Sequence, residues 1–300
     1  MKTVDLIVVG DLNADLVLRG GDVVPAFGQR EQLVDHAELV LGGSGAIAAA
    51  GAARLGLEVA MVACVGDDAL GRVMRETLAA AGVDTSAVIT DPGAATGVSV
   101  GLVHGADRAM LTAPGALAAL RAEDVPEELL ARARHVHVSS PFLQAGLAPG
   151  LGRLAARASS SSLDPGWDPR ERWELPLDAF DVLLPNAEEA LRLARRADGD
   201  VEAAARDLAA HGPLVVVKLG ADGALATRVD AITRVPAPAV DAVDATGAGD
   251  SFDAGFLAAH LAGADLEGAL ALACACGALS TRRAGGTAAQ PTLEEARALR

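Results

Sequence analysis

The segment Asp244-Ala-Thr-Gly-Ala-Gly-Asp250 places a carboxylate directly behind three small residues, and the apolar run Ser251-Phe-Asp-Ala-Gly-Phe256 follows it. Gly247, Ala248 and Gly249 let backbone N–H groups face an anion. The run after them reads as a helix whose N-terminus directs positive partial charge to the same spot. A cradle of this kind holds a migrating phosphoryl group while Asp250 takes a proton from an alcohol. Taken alone, the same residues also fit a glycine-rich turn that merely opens a helix.

Other polar residues stand where strands end. Gly10-Asp-Leu-Asn-Ala-Asp15 follows an apolar run, and Asp11, Asn13 and Asp15 offer acceptors and donors suited to vicinal hydroxyls, or to Asx-turns that close the strand. Asn186 and Glu189 follow Val182 to Leu184, where the asparagine can cap a helix and the glutamate can complement its dipole. Lys218-Leu-Gly-Ala-Asp-Gly223 closes another strand, with a type I′ hairpin expected at Asp222-Gly223. Gly43-x-Gly45-x-x-Ala48, with Asp67 and Asp68 further on, matches a dinucleotide fingerprint, so an NAD-dependent oxidoreductase is a rival reading. In the other reading Gly42 and Gly43 permit close backbone approach to a sugar.

The elements that must carry these groups alternate. Short β-branched runs at Leu6 to Val9, Val59 to Val65, His135 to Ser139, Val182 to Leu184 and Leu214 to Lys218 read as strands buried on both faces of a parallel sheet. Helices are expected at Ala46 to Leu55, Leu70 to Ala81, Ala187 to Arg195, Val201 to His211 and Gly249 to Leu261. The class is α/β. Residues of about 11–40 and 95–113 break the alternation with β-rich, glycine-containing stretches, which could pair into a small antiparallel sheet over the mouth of the main domain or form ordinary hairpins. Ser159 to Ser162 reads as a brief polar patch.

Three hundred residues suit one α/β domain. Hydrophobic content is 51%, much of it alanine, with no tyrosine, so helices are expected to pack by close backbone approach. A net charge of −15 argues against nucleic acid or an anionic membrane as partner and favours a small molecule. Cys64, Cys274 and Cys276 lack metal-ligand spacing and read as buried reduced thiols, which fits a soluble cytoplasmic protein.

The stretch Asp244 to Phe256 resembles the second signature of the PfkB carbohydrate kinases, the ribokinase-like family. The stretch Gly42 to Asp84, with Arg54-Leu-Gly56 and Val65-Gly-Asp-Asp68, resembles the first. The likeness runs from Gly10 to Gly286, with Ile47 standing where the family commonly has asparagine. It implies one ribokinase-like domain over residues 1–300, a three-layer α/β/α unit with a mostly parallel sheet and a small β-sheet lid built from the two insertions.

It also implies ATP-dependent phosphorylation of a sugar hydroxymethyl group, with Asp250 as base and the Gly247–Gly249 backbone as anion hole. Within the family the acceptor could instead be a nucleoside or a sugar phosphate, and a non-catalytic sugar-binding regulator is a further alternative. By the same resemblance Asp11, Asn13, Asp15, Gly42 and Gly43 bind the acceptor, with Arg108 on the second insertion as a candidate anchor. Asn186, Lys218, Gly220, Gly223, Thr246 and Gly285 meet ATP, and Glu189 holds Mg²⁺ through water. Asp244 and Ser280 are candidates for a monovalent cation, K⁺. A homodimer through the lid is expected.

Overall fold

The computed structural model describes residues 3–299 except 22, 105–106 and 229–230. Its strands in chain order are β1 (Val4–Val9), β2 (Asn13–Arg19), β3 (His36–Gly42), β4 (Val59–Val62), β5 (Cys64–Gly66), β6 (Ile89–Asp91), β7 (Val98–His104), β8 (Asp107–Ala113), β9 (Ala133–Ser139), β10 (Ser161–Asp164), β11 (Val182–Leu183), β12 (Leu214–Lys218), β13 (Ala224–Thr227) and β14 (Ile232–Val235). The helices are α1 (Ser44–Arg54), α2 (Ala69–Ala80), α3 (Glu127–Leu130), α4 (Leu151–Arg157), α5 (Ala187–Leu193), α6 (Val201–Ala209), α7 (Ala248–Leu261), α8 (Leu266–Ser280) and α9 (Leu293–Ala298).

Eight strands form the large sheet in the order β14-β13-β12-β11-β10-β9-β1-β4. It is parallel from β12 to β4, and β13 and β14 add an antiparallel edge. Successive residues of β1 point to opposite faces. Leu6 and Val8 join a core with α1, α7 and α8, while Ile7 and Val9 join a second core with α4 and α6. Because the chain leaves β1 for β4 on one side and returns to β9 on the other, the strand order reverses at β1, where open sheets place their ligands.

Alanine and glycine do set the helix packing. A Cβ on Gly255 of α7 would lie 3.0 Å from the Ala273 Cα of α8 and 2.9 Å from the Cys276 Sγ, so only glycine allows this approach. All three cysteines are buried and free. Among the described residues no helix is long and apolar enough to cross a membrane.

The stretch Ser159 to Ser162, expected as a polar patch, contributes instead to the buried strand β10. Its hydroxyls are satisfied within the sheet: Ser162 Oγ lies 2.8 Å from the His135 Nε2 and 2.8 Å from the His137 Nδ1. At Gly220–Asp222 the chain makes a 3₁₀ turn, with positive φ at Gly220 and Gly223 but not at Asp222. The connection is therefore not the type I′ turn expected, which needs positive φ at both central residues.

The second sheet has four strands, β3-β2-β7-β8, drawn from the two stretches that interrupt the alternation; β2 and β7 pair in parallel, so it is mixed and not the antiparallel sheet expected. The run Val59 to Val65, expected as one strand of the large sheet, divides at Ala63, and β5 pairs with β6 in a separate two-stranded sheet. The register of the four-stranded sheet sorts residues by face. Asp15, Ser99 and Thr112 lie opposite one another on one face, and Leu16, Leu39, Val100 and Leu111 on the other.

Candidate active site

A cavity of about 850 Å³ opens between the small sheet and the carboxyl edge of the large one. Asp11 follows β1, Asp164 ends β10, Asn186 follows β11, Lys218 ends β12, and Gly247 to Asp250 form the first turn of α7. All of these elements line the cavity, as do Asn13, Asp15, Ser99 and Thr112 of the small sheet.

One end is built by Gly247, the N-cap of α7, at φ 73°. A Cβ there would meet the Gly286 Cα at 2.7 Å and the Ile47 Cγ2 at 3.0 Å, so the conformation and the close packing both require glycine. Ile47 thus forms an apolar wall behind the turn. Of the three amides expected to face an anion, that of Ala248 turns back to donate to the Ala245 carbonyl (3.2 Å), whereas those of Gly247 and Gly249 have no protein acceptor among the described residues. Gln290 ties the turn to its surroundings, its Nε2 donating to the Ile47 carbonyl (2.8 Å) and to the Ser251 Oγ (3.1 Å).

At the other end Asn13 Nδ2 donates to the Asp15 Oδ1 (2.6 Å) and the Ser99 Oγ (3.3 Å), and Ser99 pairs with Thr112 (3.0 Å). Gly42 lies beneath Asp15 rather than in the cavity lining. A Cβ on it would stand 2.1 Å from the Asp15 Oδ1. Asp11 accepts from the backbone N–H of Gly45 (2.8 Å) and Ser44 (3.1 Å), fixing the start of α1. Its burial, opposed by those N–H groups, raises its pKa to about 6.

The middle of the cavity is dense in charge. Desolvation and the nearby Asp164 push the Asp250 carboxyl well above the usual range, against the pull of Lys218. The Ser44 side chain opposes this rise. Asp164, Asp250 and Asp253 bring carboxylate oxygens within 4.8 Å of one another. The Lys218 ammonium sits among them, 3.2 Å from the Asp164 Oδ2 and 3.1 Å from the Asp253 Oδ2. Burial alone would strip its proton, but Asp164, Asp253, Glu189 and Asp250 together hold the amine firmly protonated.

Asn186 and Glu189 cap α5 reciprocally, Asn186 Oδ1 accepting from the Glu189 N–H (2.9 Å) and Glu189 Oε2 from the Asn186 N–H (2.8 Å). Burial and Asp164 raise Glu189 to about 7. One of its oxygens is thereby committed to the cap, and a hard oxygen remains for a divalent cation.

Several candidates stand apart from the lining. Gly220 and Gly223 are not part of it, and Gly223 packs on Val235, whose carbonyl a Cβ would meet at 2.1 Å. Asp244 joins two loops, accepting from the Thr246 N–H (2.9 Å), the Thr246 Oγ1 (2.7 Å) and the Gly285 N–H (3.0 Å). Ser280 is buried, and its hydroxyl donates to the Gly277 carbonyl (2.8 Å). The backbone of Arg108 pairs with Val103, but its side chain lies outside the described residues.

Sequence reasoning missed Asp164, Asp253, Ser44, Ser99 and Thr112. Asp253 carried a signal, since it lies three residues after Asp250 and so on the same helix face. The dinucleotide reading fails on geometry. Gly43 follows β3 of the small sheet, not a parallel strand of the large one, and Asp68 caps α2 at the Gly71 N–H (2.8 Å) while also binding the Thr96 hydroxyl (2.7 Å).

A family model described as pfkB family carbohydrate kinase matches residues 4–293. The chain is 35% identical over 288 residues to an ATP-dependent ribose-1-phosphate kinase of Halopiger xanaduensis, covering 95% of this chain and 94% of the relative. Its fold is similar to the crystal structure of a putative ribokinase II from E. coli in complex with ATP and Mg²⁺, with TM-score 0.85, 25% identity and coverage of 99% of this chain and 98% of that one. It is equally similar to an Arabidopsis thaliana ribokinase complexed with ribose and ATP, with TM-score 0.85, 25% identity and coverage of 100% and 99%. The chain belongs to the pfkB family and is a carbohydrate kinase with the ribokinase-like fold.

Proposed function

We propose that this protein uses ATP and Mg²⁺ to phosphorylate a hydroxymethyl group of a sugar, with Asp250 as the general base. One observation carries the assignment of roles: the Asp250 carboxylate lies in a single cavity between unbonded amides at a helix N-terminus and the hydroxyl-binding set Asp11, Asn13 and Asp15. When bound, ATP supplies the phosphoryl group and Mg²⁺ offsets its charge. The residues present fit both, because two amides without a protein acceptor at a helix N-terminus suit a phosphate and the Glu189 carboxylate suits a hard cation through water.

Asp250 takes the proton of the acceptor hydroxyl at its carboxylate, and Ser44 lines the same cavity. The Gly247 and Gly249 amides hold negative charge as it develops opposite. Asn13 and Asp15 orient the sugar ring. The small sheet acts as a lid that excludes water. Thr246 and Lys218 border the nucleotide side, and Asp244 with Ser280 marks the place for a monovalent cation. The lining around Asp11, Asp15 and Asp164 is acidic and Lys218 is already paired, which favours an uncharged sugar over a sugar phosphate, and Arg108 is the candidate anchor that substitution would test.

The apolar outer face of the lid, where Leu39 is 47% and Leu111 63% exposed, supports a homodimer formed lid to lid. Three free thiols support a reducing compartment, the cytoplasm.

The test is Asp250→Asn. It should lower kcat by roughly 10²–10⁴-fold, the span of general-base catalysis, while ATP binding persists. Near-normal turnover would refute the assignment. Ribose, fructose, ribose-1-phosphate and nucleosides, compared in an ADP-release assay with and without Arg108→Ala, identify the acceptor. Because the base must be ionised and desolvation raises its proton affinity, kcat should rise with pH through the pKa of Asp250.

A further inference from the structure

We propose that Lys218 is a positioning residue for phosphoryl transfer: its ammonium clamps the end of β10 to α7 one turn after Asp250 and so fixes the base against the cradle. The inference rests on the kinase reading above. Lysine has three N–H donors and no acceptor. Here they are spent on Asp164 Oδ2 at 3.2 Å and on Asp253 Oδ1 and Oδ2 at 3.2 and 3.1 Å. The residue is 9% exposed, so little of the ammonium is left for a nucleotide.

Both partners are placed to transmit position. Asp253 is fully buried and absent from the cavity lining, and it stands three residues after Asp250, on the same face of α7. Asp164 ends β10 and lines the cavity. The lysine stem lies along Gly249, where a Cβ would sit 3.7 Å from the Lys218 Cδ and 3.9 Å from its Cε, so the cradle backbone rests on the clamp itself.

One ammonium is shared by two buried carboxylates, those of Asp164 at 3.2 Å and Asp253 at 3.1 Å. Removing one member of such a buried set leaves an uncompensated charge, whereas removing both members of an ion pair need not destabilise.

Full-length Lys218→Met, Asp253→Ala, Asp253→Asn and the double variant K218M/D164N test the clamp. Asp253→Ala and Lys218→Met should lower kcat by ~10²-fold, the cost of misplacing reacting groups by about 1 Å. The KM for MgATP should stay within about threefold of wild type. Asp253→Asn, whose amide oxygen still accepts from the Lys218 ammonium, should retain kcat within about threefold. A rise in the KM for MgATP of about tenfold or more at unchanged kcat in Lys218→Met would make Lys218 a nucleotide ligand and overturn the proposal.

Urea denaturation needs no substrate. Lys218→Met and Asp253→Ala should each lower the midpoint, and K218M/D164N should recover it. Equal midpoints across the set refute the clamp. Silence of the wild-type protein with every acceptor refutes the kinase reading instead, and the urea midpoints then judge the clamp on their own.

Discussion

The two sheets handle polar residues in opposite ways. At the carboxyl edge of the large sheet, charges are buried against one another, as with Lys218, Asp164 and Asp253. The small sheet sorts by face instead, with Asp15, Ser99 and Thr112 toward the cavity and Leu16, Leu39, Val100 and Leu111 away from it. The first arrangement sets the electrostatics of the cavity. The second gives the cavity a polar wall and leaves Leu39 and Leu111 exposed outside it.

The contrast breaks most sharply at Gly247. Gly247→Val places a β-branched residue at positive φ and within 2.7 Å of Gly286, displacing the cradle, and should lower kcat by ~10²–10³-fold, as loss of an anion-hole donor does. Steady-state kinetics check this, and a stable variant with full kcat would show that the turn does not serve catalysis. On the small sheet the matching change is Gly42→Ala, which drives a methyl into Asp15. It should raise the KM for sugar by about tenfold while leaving the KM for MgATP unchanged. Equal effects on both substrates would erase the division of labour between the sheets.

Stability against pH sharpens the comparison from the side of the large sheet. Burial lowers the pKa of His137 to about 4, against attraction from Asp164, and the ring stays neutral on Ser162. A depressed folded-state pKa contributes stability present above the unfolded value of 6.5 and lost as pH falls toward about 4. The expected loss is on the order of 3 kcal/mol, read as a lower urea midpoint at acid pH. Midpoints that do not move between neutral and acid pH would contradict a neutral buried ring. The smallest effect on activity belongs to Leu111→Lys. It should leave kcat near wild type and shift the protein toward monomer in light scattering, and an unchanged mass would remove the lid face as an interface.

Much of the candidate site was legible because its residues lie in contiguous runs. Gly247 to Asp250, Asp11 to Asp15 and Asn186 to Glu189 each bring cavity-lining residues to a strand end or helix start, where spacing along the chain is spacing in the molecule. What escaped depends on pairing between distant segments. The strand β10 reads as polar because Ser161 and Ser162 carry no hydrophobic signal, and the two histidines of β9 satisfy the buried Ser162 hydroxyl by hydrogen bonds. Asp164 was hidden with it. The helix α8, buried along nearly all its length, has no amphipathic period to announce it. Ala248 shows the limit within a motif, since its N–H bends back to Ala245 for reasons of local turn geometry.

The cradle at Gly247 is braced from far along the chain, by Gly286 packed against it and by Gln290 reaching to Ile47 and Ser251. A chain cut before residue 286 would therefore keep every strand and lose the contacts that hold this turn in place.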